Sequence, residues 1–100
     1  MIENLVKIIR DRKKSNPKNS YTAELFSGGI IKCIDKLEEE IAELKESLNN
    51  KNNEVHEAAD VIYHLLVTLE VANIKYEDVL KELNRRQMKS GIEEKISRKY

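Results

Sequence analysis

Residues 39–64 read EEIAELKESLNNKNNEVHEAADVIYH, two acidic segments separated by a polar break. Each segment contains a pair of carboxylates spaced three residues apart, Glu40 with Glu43 and Glu57 with Asp60. Residues three apart lie side by side on one face of a helix. An antiparallel hairpin of two such helices would bring both pairs together. The resulting cluster of carboxylate oxygens is suited to a hard divalent cation.

A solvent-exposed acidic face is the alternative interpretation, because helices rich in Glu and Lys commonly carry carboxylates that contact only water. The same spacing recurs on both sides of one turn, however, and the second helix is apolar around much of its circumference, so we expect it to be covered on most sides. Carboxylates on a covered helix require a proton, a cationic partner or a metal. For Glu57 and Asp60, which share a face with His64, we predict a metal. The apolar residues of this helix are Val55, Ala59, Val61, Ile62, Leu65, Leu66, Val67 and Leu69.

Apolar residues at helical spacing predict helices along the rest of the chain. Pro17 lies in a polar run and predicts a linker after the first helix. Gly28 and Gly29 predict a break before the acidic region. We therefore expect one all-α domain over residues 1–100, a helical bundle of four to five helices. The predicted helices cover about the first dozen residues, Ala23–Phe26 after a cap at Ser20 or Thr22, Ile30–Leu48, about Glu54–Ala72, and Tyr76 to about Met88.

The helix predicted over Ile30–Leu48 has one continuous apolar stripe, which we expect to face the core. At about 100° per residue, Glu40 falls roughly 60° from the centre of this stripe and Glu43 roughly 120° from it. Glu40 is therefore predicted at the margin of the core. The stripe consists of Ile30, Ile34, Leu37, Ile41, Leu44 and Leu48.

The bulk composition excludes some partners. Lys and Arg total 18, as do Asp and Glu, so no net charge attracts nucleic acid or anionic membrane. The N-terminus carries Glu3 and a short amphipathic run, which is neither a signal peptide nor a membrane span. The single cysteine, Cys33, favours a reducing cytoplasm and is expected to be buried. Because 100 residues build only a modest core, we expect a homo-oligomer such as a dimer.

Several motifs of the chain match one known pattern. They are Ser20-Tyr21-Thr22, Leu25, Gly29, Lys36-Leu37, Glu39-Glu40-Ile41-Ala42-Glu43, Glu57-Ala58-Ala59-Asp60, Tyr63-His64-Leu65-Leu66-Val67 and Ser90-Gly91-Ile92-Glu93-Glu94-Lys95. This pattern resembles the all-α, MazG-like nucleoside triphosphate pyrophosphohydrolases, and most closely the phosphoribosyl-ATP pyrophosphohydrolase family of histidine biosynthesis. Glu38 and Ile41 stand where many members have Gly and Ala, and neither change removes a carboxylate. We expect the stand-alone form, because no cyclohydrolase domain precedes these motifs.

The resemblance implies a Mg²⁺-dependent hydrolase. It would cleave phosphoribosyl-ATP between the α and β phosphates into phosphoribosyl-AMP and pyrophosphate, the second step of histidine biosynthesis. Phosphates cannot approach a cluster of carboxylates unless cations intervene, and Mg²⁺ commonly bridges the two. Mn²⁺ could substitute for it. The metal ligands would be Glu40, Glu43, Glu57 and Asp60, and Glu39 would support them or help to activate water.

Cationic and polar residues near the carboxylates are candidates for nucleotide binding. Lys36 and Lys32 precede the acidic motif by one and two turns and could contact phosphates, although solvent-exposed lysines are the alternative. His64 is better suited to bond a ligating carboxylate than to bind Mg²⁺, because a hard cation prefers oxygen. The other candidates are Ser20, Tyr21, Thr22 and Gly29 for the nucleotide, and Arg85 and Arg86 for a phosphate across a subunit boundary.

Two other functions stay open on the sequence. A house-cleaning pyrophosphohydrolase would use the same carboxylates on ordinary or damaged nucleoside triphosphates. A non-catalytic helical interaction module would leave the carboxylates solvated. A panel of substrates separates the two enzymes, and stabilisation by Mg²⁺ separates an enzyme from a module, because a ligand of the folded state raises its stability.

Overall fold

Helices account for all regular secondary structure in the computed structural model, which describes residues 1–87. The predicted all-α class is confirmed for this part of the chain, and the predicted linker around Pro17 separates the first two helices. The predicted end of the last helix at Met88 and the Ser90–Lys95 motif lie outside the described residues. The helices are α1 (Ile2–Arg12), α2 (Tyr21–Asn50), α3 (Glu54–Val71) and α4 (Tyr76–Gln87).

A cap and a glycine determine the start and the bend of α2. Ser20 precedes the helix in an extended conformation, and its hydroxyl accepts a hydrogen bond of 3.2 Å from the amide of Ala23, as one of the two predicted caps. Gly29 interrupts the helical backbone with φ 81° and ψ −179°, a conformation that is strained for any residue with a Cβ atom. The predicted break is confirmed at Gly29, and α2 consists of two helical segments.

The hydrophobic core forms where α1 packs on α2 and α3. Cys33 is buried there as predicted, and its thiol donates a hydrogen bond of 3.4 Å to the carbonyl of Leu25. The most extensive contact between elements joins α2 and α3, which are connected by residues 51–53. The buried core side chains are Val6, Ile9, Leu25, Cys33, Leu66 and Val67.

The apolar stripe predicted to face the core is largely exposed on α2, so this prediction is wrong. Ile41 is 49% exposed and Leu48 57% exposed, and Ile30 and Ile34 are also exposed. The buried residues of this segment instead recur every seven positions and lie on the side that faces α3. Glu40 is therefore inside the helix pair and not at its margin. The buried residues are Cys33, Glu40 and Ser47.

The expectation that α3 is covered on most sides is also wrong for the single chain. Val55 is 86% exposed, and Ile62 and Leu65 are exposed as well. His64, Leu66 and Val67 form the buried side. The two helices thus pack through a partly polar contact and leave apolar side chains facing outward.

An arginine links the C-terminal part of the fold to α1. Arg10 of α1 bonds Glu70 of α3 through Nε at 2.6 Å and Glu77 of α4 through its terminal nitrogens at 2.9 and 3.1 Å. This hydrogen bonding lowers the pKa of Glu77 to about 2. Asn73 follows α3 in a left-handed conformation with φ 60°, which ends the helix. Among residues 1–87, no helix is both long and apolar enough to cross a membrane.

Candidate active site

The α2–α3 hairpin brings three of the four predicted carboxylates into one cluster. Glu40 and Glu43 lie on the same face of α2 because they are three residues apart. The short connection at residues 51–53, with Lys51 and Asn53 in left-handed conformations, returns the chain so that Glu57 of α3 lies opposite. One carboxylate oxygen from each of the three residues lies within 4.8 Å of the other two. We call Glu40, Glu43 and Glu57 the carboxylate cluster.

Two oxygens of the cluster are buried and unpaired. Glu40 is only 9% exposed, and one of its carboxylate oxygens, Oε2, has no hydrogen-bond partner among the described residues. The same holds for Oε2 of Glu57. Buried polar atoms are normally paired, because desolvation without a partner is unfavourable. Unpaired, convergent carboxylate oxygens are the donors that a hard divalent cation such as Mg²⁺ prefers, so these residues fit the predicted metal.

The electrostatics of Glu40 point the same way. Burial and the neighbouring Glu43 carboxylate raise its pKa above the ordinary value of glutamate, since both disfavour the ionised form. A positive charge on His64 would act in the opposite direction, so the imidazole lies near Glu40. Glu40 is thus held where its ionised form is disfavoured unless a positive charge compensates it.

Asp60 and Glu39 differ from the cluster in their contacts. Asp60 Oδ2 lies 3.3 Å from Nε2 of His56, and these two residues form a second group of nearby donors with Glu57. Glu57 is thus shared by both groups, and the assignment of Asp60 as a ligand stays a prediction. Glu39 is exposed and pairs with Lys36 at 3.5 Å, and its role in supporting the ligands or activating water stays a prediction.

Aromatic and hydroxyl side chains form a hydrogen-bonded group beside the carboxylates. The hydroxyl of Tyr21 lies 3.0 Å from Nε2 of His64, and the hydroxyl of Thr22 lies 2.5 Å from that of Tyr63. The rings of Tyr21 and Tyr63 stack, and both meet His64 edge to face. The start of α2 is thereby attached to α3 close to the carboxylate cluster. Of the predicted nucleotide-binding residues, Tyr21, Thr22 and His64 are brought together.

The predicted lysines follow the bend of α2. Gly29 begins the long segment of α2, and Lys32 and Lys36 lie on its first two turns. Lys36 is partly buried between Tyr21 and Glu39, and both of these raise its pKa by favouring the charged form. Lys32 lies 4.0 Å from Glu24 and is half exposed. The hydroxyl of Ser20 caps the helix by accepting a hydrogen bond from the amide of Ala23.

Arg85 and Arg86 lie elsewhere in the fold. Both are on α4 and contact Glu82 of the same helix, at 2.8 Å and 3.7 Å respectively. No contact within residues 1–87 joins them to the carboxylate cluster. Their predicted role across a subunit boundary stays a prediction.

A family model described as phosphoribosyl-ATP pyrophosphohydrolase matches residues 2–87. The chain belongs to the phosphoribosyl-ATP pyrophosphohydrolase family. The match spans α1 to α4 and therefore includes both helices of the hairpin. The predicted resemblance is confirmed.

Curated relatives agree with this family over nearly the whole chain. A phosphoribosyl-ATP pyrophosphatase of Rhizobium etli is 42% identical over 99 residues, which cover 97% of this chain and 92% of the relative. One from Rhodobacter capsulatus is 41% identical over 99 residues, covering 97% and 96%. The histidine biosynthesis bifunctional protein HisIE of Helicobacter hepaticus is 42% identical over 102 residues, which cover all of this chain and 44% of that protein.

Two residues near the site were not selected from the sequence. Tyr63 was quoted only as part of a motif, and its hydrogen bond to Thr22 depends on the packing of α2 on α3, which no local spacing reveals. His56 lies four residues before Asp60, and this spacing on one helix face could have identified it.

Replacing Glu40 tests whether its ionised form is unfavourable without metal. A carboxyl group whose pKa is raised by folding stabilises the folded state when protonated, and this contribution is lost as the pH rises through the folded pKa. At neutral pH in a chelator, we therefore expect Glu40→Gln to melt about 4–8 °C above the wild type, roughly 1 kcal/mol for a domain of this size. Differential scanning calorimetry measures the shift.

The exposed Glu38→Gln is the matched control and should melt like the wild type. The wild type should also gain stability as the pH falls toward about 4.5, whereas Glu40→Gln should gain less. A Glu40→Gln protein that melts below the wild type in chelator would contradict this description of the cluster.

Proposed function

We propose that the protein hydrolyses phosphoribosyl-ATP to phosphoribosyl-AMP and pyrophosphate, the second step of histidine biosynthesis. The observation that carries the proposal is the convergence of Glu40, Glu43 and Glu57, with two buried oxygens that have no hydrogen-bond partner in the described part of the chain. The relatives are named phosphoribosyl-ATP pyrophosphatases, which supports phosphoribosyl-ATP as the substrate. The carboxylates supply the chemistry that such a reaction needs, which is a site for cations beside phosphates.

Mg²⁺ is the proposed cofactor, and Mn²⁺ could replace it. Glu40, Glu43 and Glu57 would hold the ion, with Asp60 completing the set from the next turn of α3. When bound, Mg²⁺ neutralises phosphate charge and lowers the pKa of a coordinated water. The chain itself contributes the oxygen donors and an environment in which Glu40 has lost most of its contact with solvent.

The other residues of the site would position the substrate. Lys36 remains positively charged next to Tyr21, on the second turn after Gly29, where an anionic phosphate would be attracted. Its ion pair with Glu39 is exposed, with 3.5 Å between the charged atoms, and such pairs contribute little to stability. A phosphate could therefore replace Glu39 as the partner of this lysine with little loss of free energy. Tyr21 and His64 border the same region and offer hydrogen bonds to the rest of the nucleotide.

A substrate assay tests the proposed reaction. Purified protein with Mg²⁺ should release pyrophosphate from phosphoribosyl-ATP, and Glu57→Gln or Asp60→Asn should lower kcat/KM about 100-fold or more, because each removes a donor of the cation that stabilises the transition state. The exposed Glu38→Gln should retain activity. Pyrophosphate release is measured by a coupled colour reaction.

The same experiment distinguishes the alternatives. No pyrophosphate from a folded sample would refute the proposal. Faster turnover of ordinary nucleoside triphosphates than of phosphoribosyl-ATP would indicate a house-cleaning enzyme. A melting temperature that does not change at millimolar Mg²⁺ would indicate a non-catalytic module, because bound ligand stabilises the folded state.

We also propose that the chain forms a homodimer through the exposed apolar side chains of α2 and α3. These side chains continue along α2 at the spacing of one helix face, a pattern that usually indicates burial. A symmetric pair of hairpins would cover them and would explain why the predicted core stripe is open in one chain. The exposed side chains are Ile30, Ile34, Ile41, Leu48, Val55 and Ile62.

Sedimentation measures the oligomeric state directly. The wild type should sediment as a dimer, and Ile41→Glu should shift it to a monomer, because a charge in the middle of an apolar contact is strongly unfavourable. Glu46→Lys changes charge at an exposed position of the same helix, about 140° around the axis from Ile41, and should remain dimeric. A wild type that is monomeric by light scattering at micromolar concentration would contradict the proposal.

A further inference from the structure

The hydrogen bonds of His64 determine which of its nitrogens carries the hydrogen. Nδ1 lies 2.9 Å from the backbone carbonyl oxygen of Asp60, which can only accept. Nδ1 must therefore donate. In a neutral imidazole the other nitrogen, Nε2, is then an acceptor, and the hydroxyl of Tyr21 at 3.0 Å must donate to it. The only hydrogen of the Tyr21 hydroxyl is thus directed at His64.

The surrounding contacts fix this orientation. His64 is only 6% exposed, and the rings of Tyr21 and Tyr63 meet it at centroid distances of 5.8 and 5.1 Å, both edge to face. Its side chain cannot turn to exchange the two nitrogens without breaking both hydrogen bonds. Tyr21 is 47% exposed, so part of this residue is accessible to a ligand. Partial burial raises the pKa of Tyr21, so its hydroxyl keeps the hydrogen at neutral pH.

We propose that Tyr21 recognises a sugar hydroxyl of the nucleotide by accepting its hydrogen bond, and that His64 is the positioning residue that prevents Tyr21 from donating to phosphate. The proposal rests on the proposed function, since it concerns how that substrate is bound. A phosphate at neutral pH offers only acceptor oxygens. These would face the lone pairs of the Tyr21 hydroxyl oxygen, and a contact between two acceptors is unfavourable. A ribose hydroxyl can donate. The adjacent Lys36, which can only donate, serves phosphate instead.

This division separates the two ends of the substrate. Lys36 and the cation site select the phosphates by charge, and Tyr21 selects the sugar by the direction of one hydrogen bond. A site that presents an acceptor to a ligand hydroxyl discriminates against ligands without that hydroxyl, because its polar atom is then left unpaired.

Nitrogen NMR tests the tautomer without any turnover. The chain has two histidines, so protein labelled with ¹⁵N-histidine gives two imidazole spectra, and His56→Gln identifies His64. In spectra recorded at about pH 8.5, where a histidine ring is ordinarily neutral, we expect hydrogen on Nδ1 and none on Nε2. Hydrogen on Nε2 would overturn the proposal, because Tyr21 would then be free to donate.

Binding of products tests the role of Tyr21, also without turnover. Titration calorimetry measures the binding of phosphoribosyl-AMP, AMP and pyrophosphate. Tyr21→Phe should weaken the binding of phosphoribosyl-AMP about fivefold, the effect of one neutral hydrogen bond, and should leave the binding of pyrophosphate unchanged. Weaker binding of AMP to Tyr21→Phe would show that the sugar hydroxyl bound by Tyr21 belongs to the nucleoside ribose. Unchanged AMP binding would assign it to the additional ribosyl group. Tyr76→Phe, at a tyrosine packed against the core outside the site, is the control and should bind all three like the wild type.

Two variants of His64 separate positioning from packing. His64→Gln keeps an acceptor oxygen near the Nε2 position and should bind phosphoribosyl-AMP within about twofold of the wild type. His64→Leu fills the space without an acceptor and should weaken the binding of phosphoribosyl-AMP as much as Tyr21→Phe does. Three results would overturn the proposal. Tyr21→Phe could weaken the binding of pyrophosphate as much as that of phosphoribosyl-AMP, or the wild type could show no measurable binding of phosphoribosyl-AMP. The third is a folded His64→Gln protein that does not retain binding of phosphoribosyl-AMP. Loss of pyrophosphate release alone would refute only the proposed reaction.

Discussion

The burial of Glu40 opposite Glu57 is the constraint on which the rest of the structure depends. The two helices meet partly through apolar side chains such as Cys33 and Leu66, but their contact also contains two carboxylates with buried oxygens that have no hydrogen-bond partner among residues 1–87. Keeping ionised groups in such a contact is unfavourable unless a cation compensates them. A bound cation would compensate these carboxylates, which is why they are the candidate metal ligands.

Several features of the fold were predicted from local chemistry because local chemistry determines them. The cap at Ser20 and the break at Gly29 depend on one hydrogen bond and one backbone conformation. The side of α2 that faces α3 was mispredicted for a different reason. Hydrophobic periodicity identifies which face of a helix avoids water, but it does not identify which partner covers that face. Ile41 is exposed in one chain while Glu40 is buried.

Part of the candidate site could likewise be predicted from local spacing, and part could not. The cluster of Glu40, Glu43 and Glu57 follows from their spacing on two helices joined by a short turn, so sequence could predict it. The contacts of Tyr21 and Thr22 with α3 join residues 43 and 41 positions apart, and only the packed structure reveals them. These contacts attach the first turn of α2 to the helix that carries Glu57 and Asp60, so the candidate nucleotide-binding groups lie on the same two helices as the carboxylates.

A crystal grown with Mn²⁺ tests the central claim most directly, because the anomalous scattering of manganese marks its position without reference to activity. We expect a strong anomalous peak within bonding distance of carboxylate oxygens of Glu40, Glu43 and Glu57, about 2.0–2.3 Å away for oxygen ligands of small divalent cations. A well-ordered cluster without any peak, or a peak only beside the exposed His56, would contradict the account.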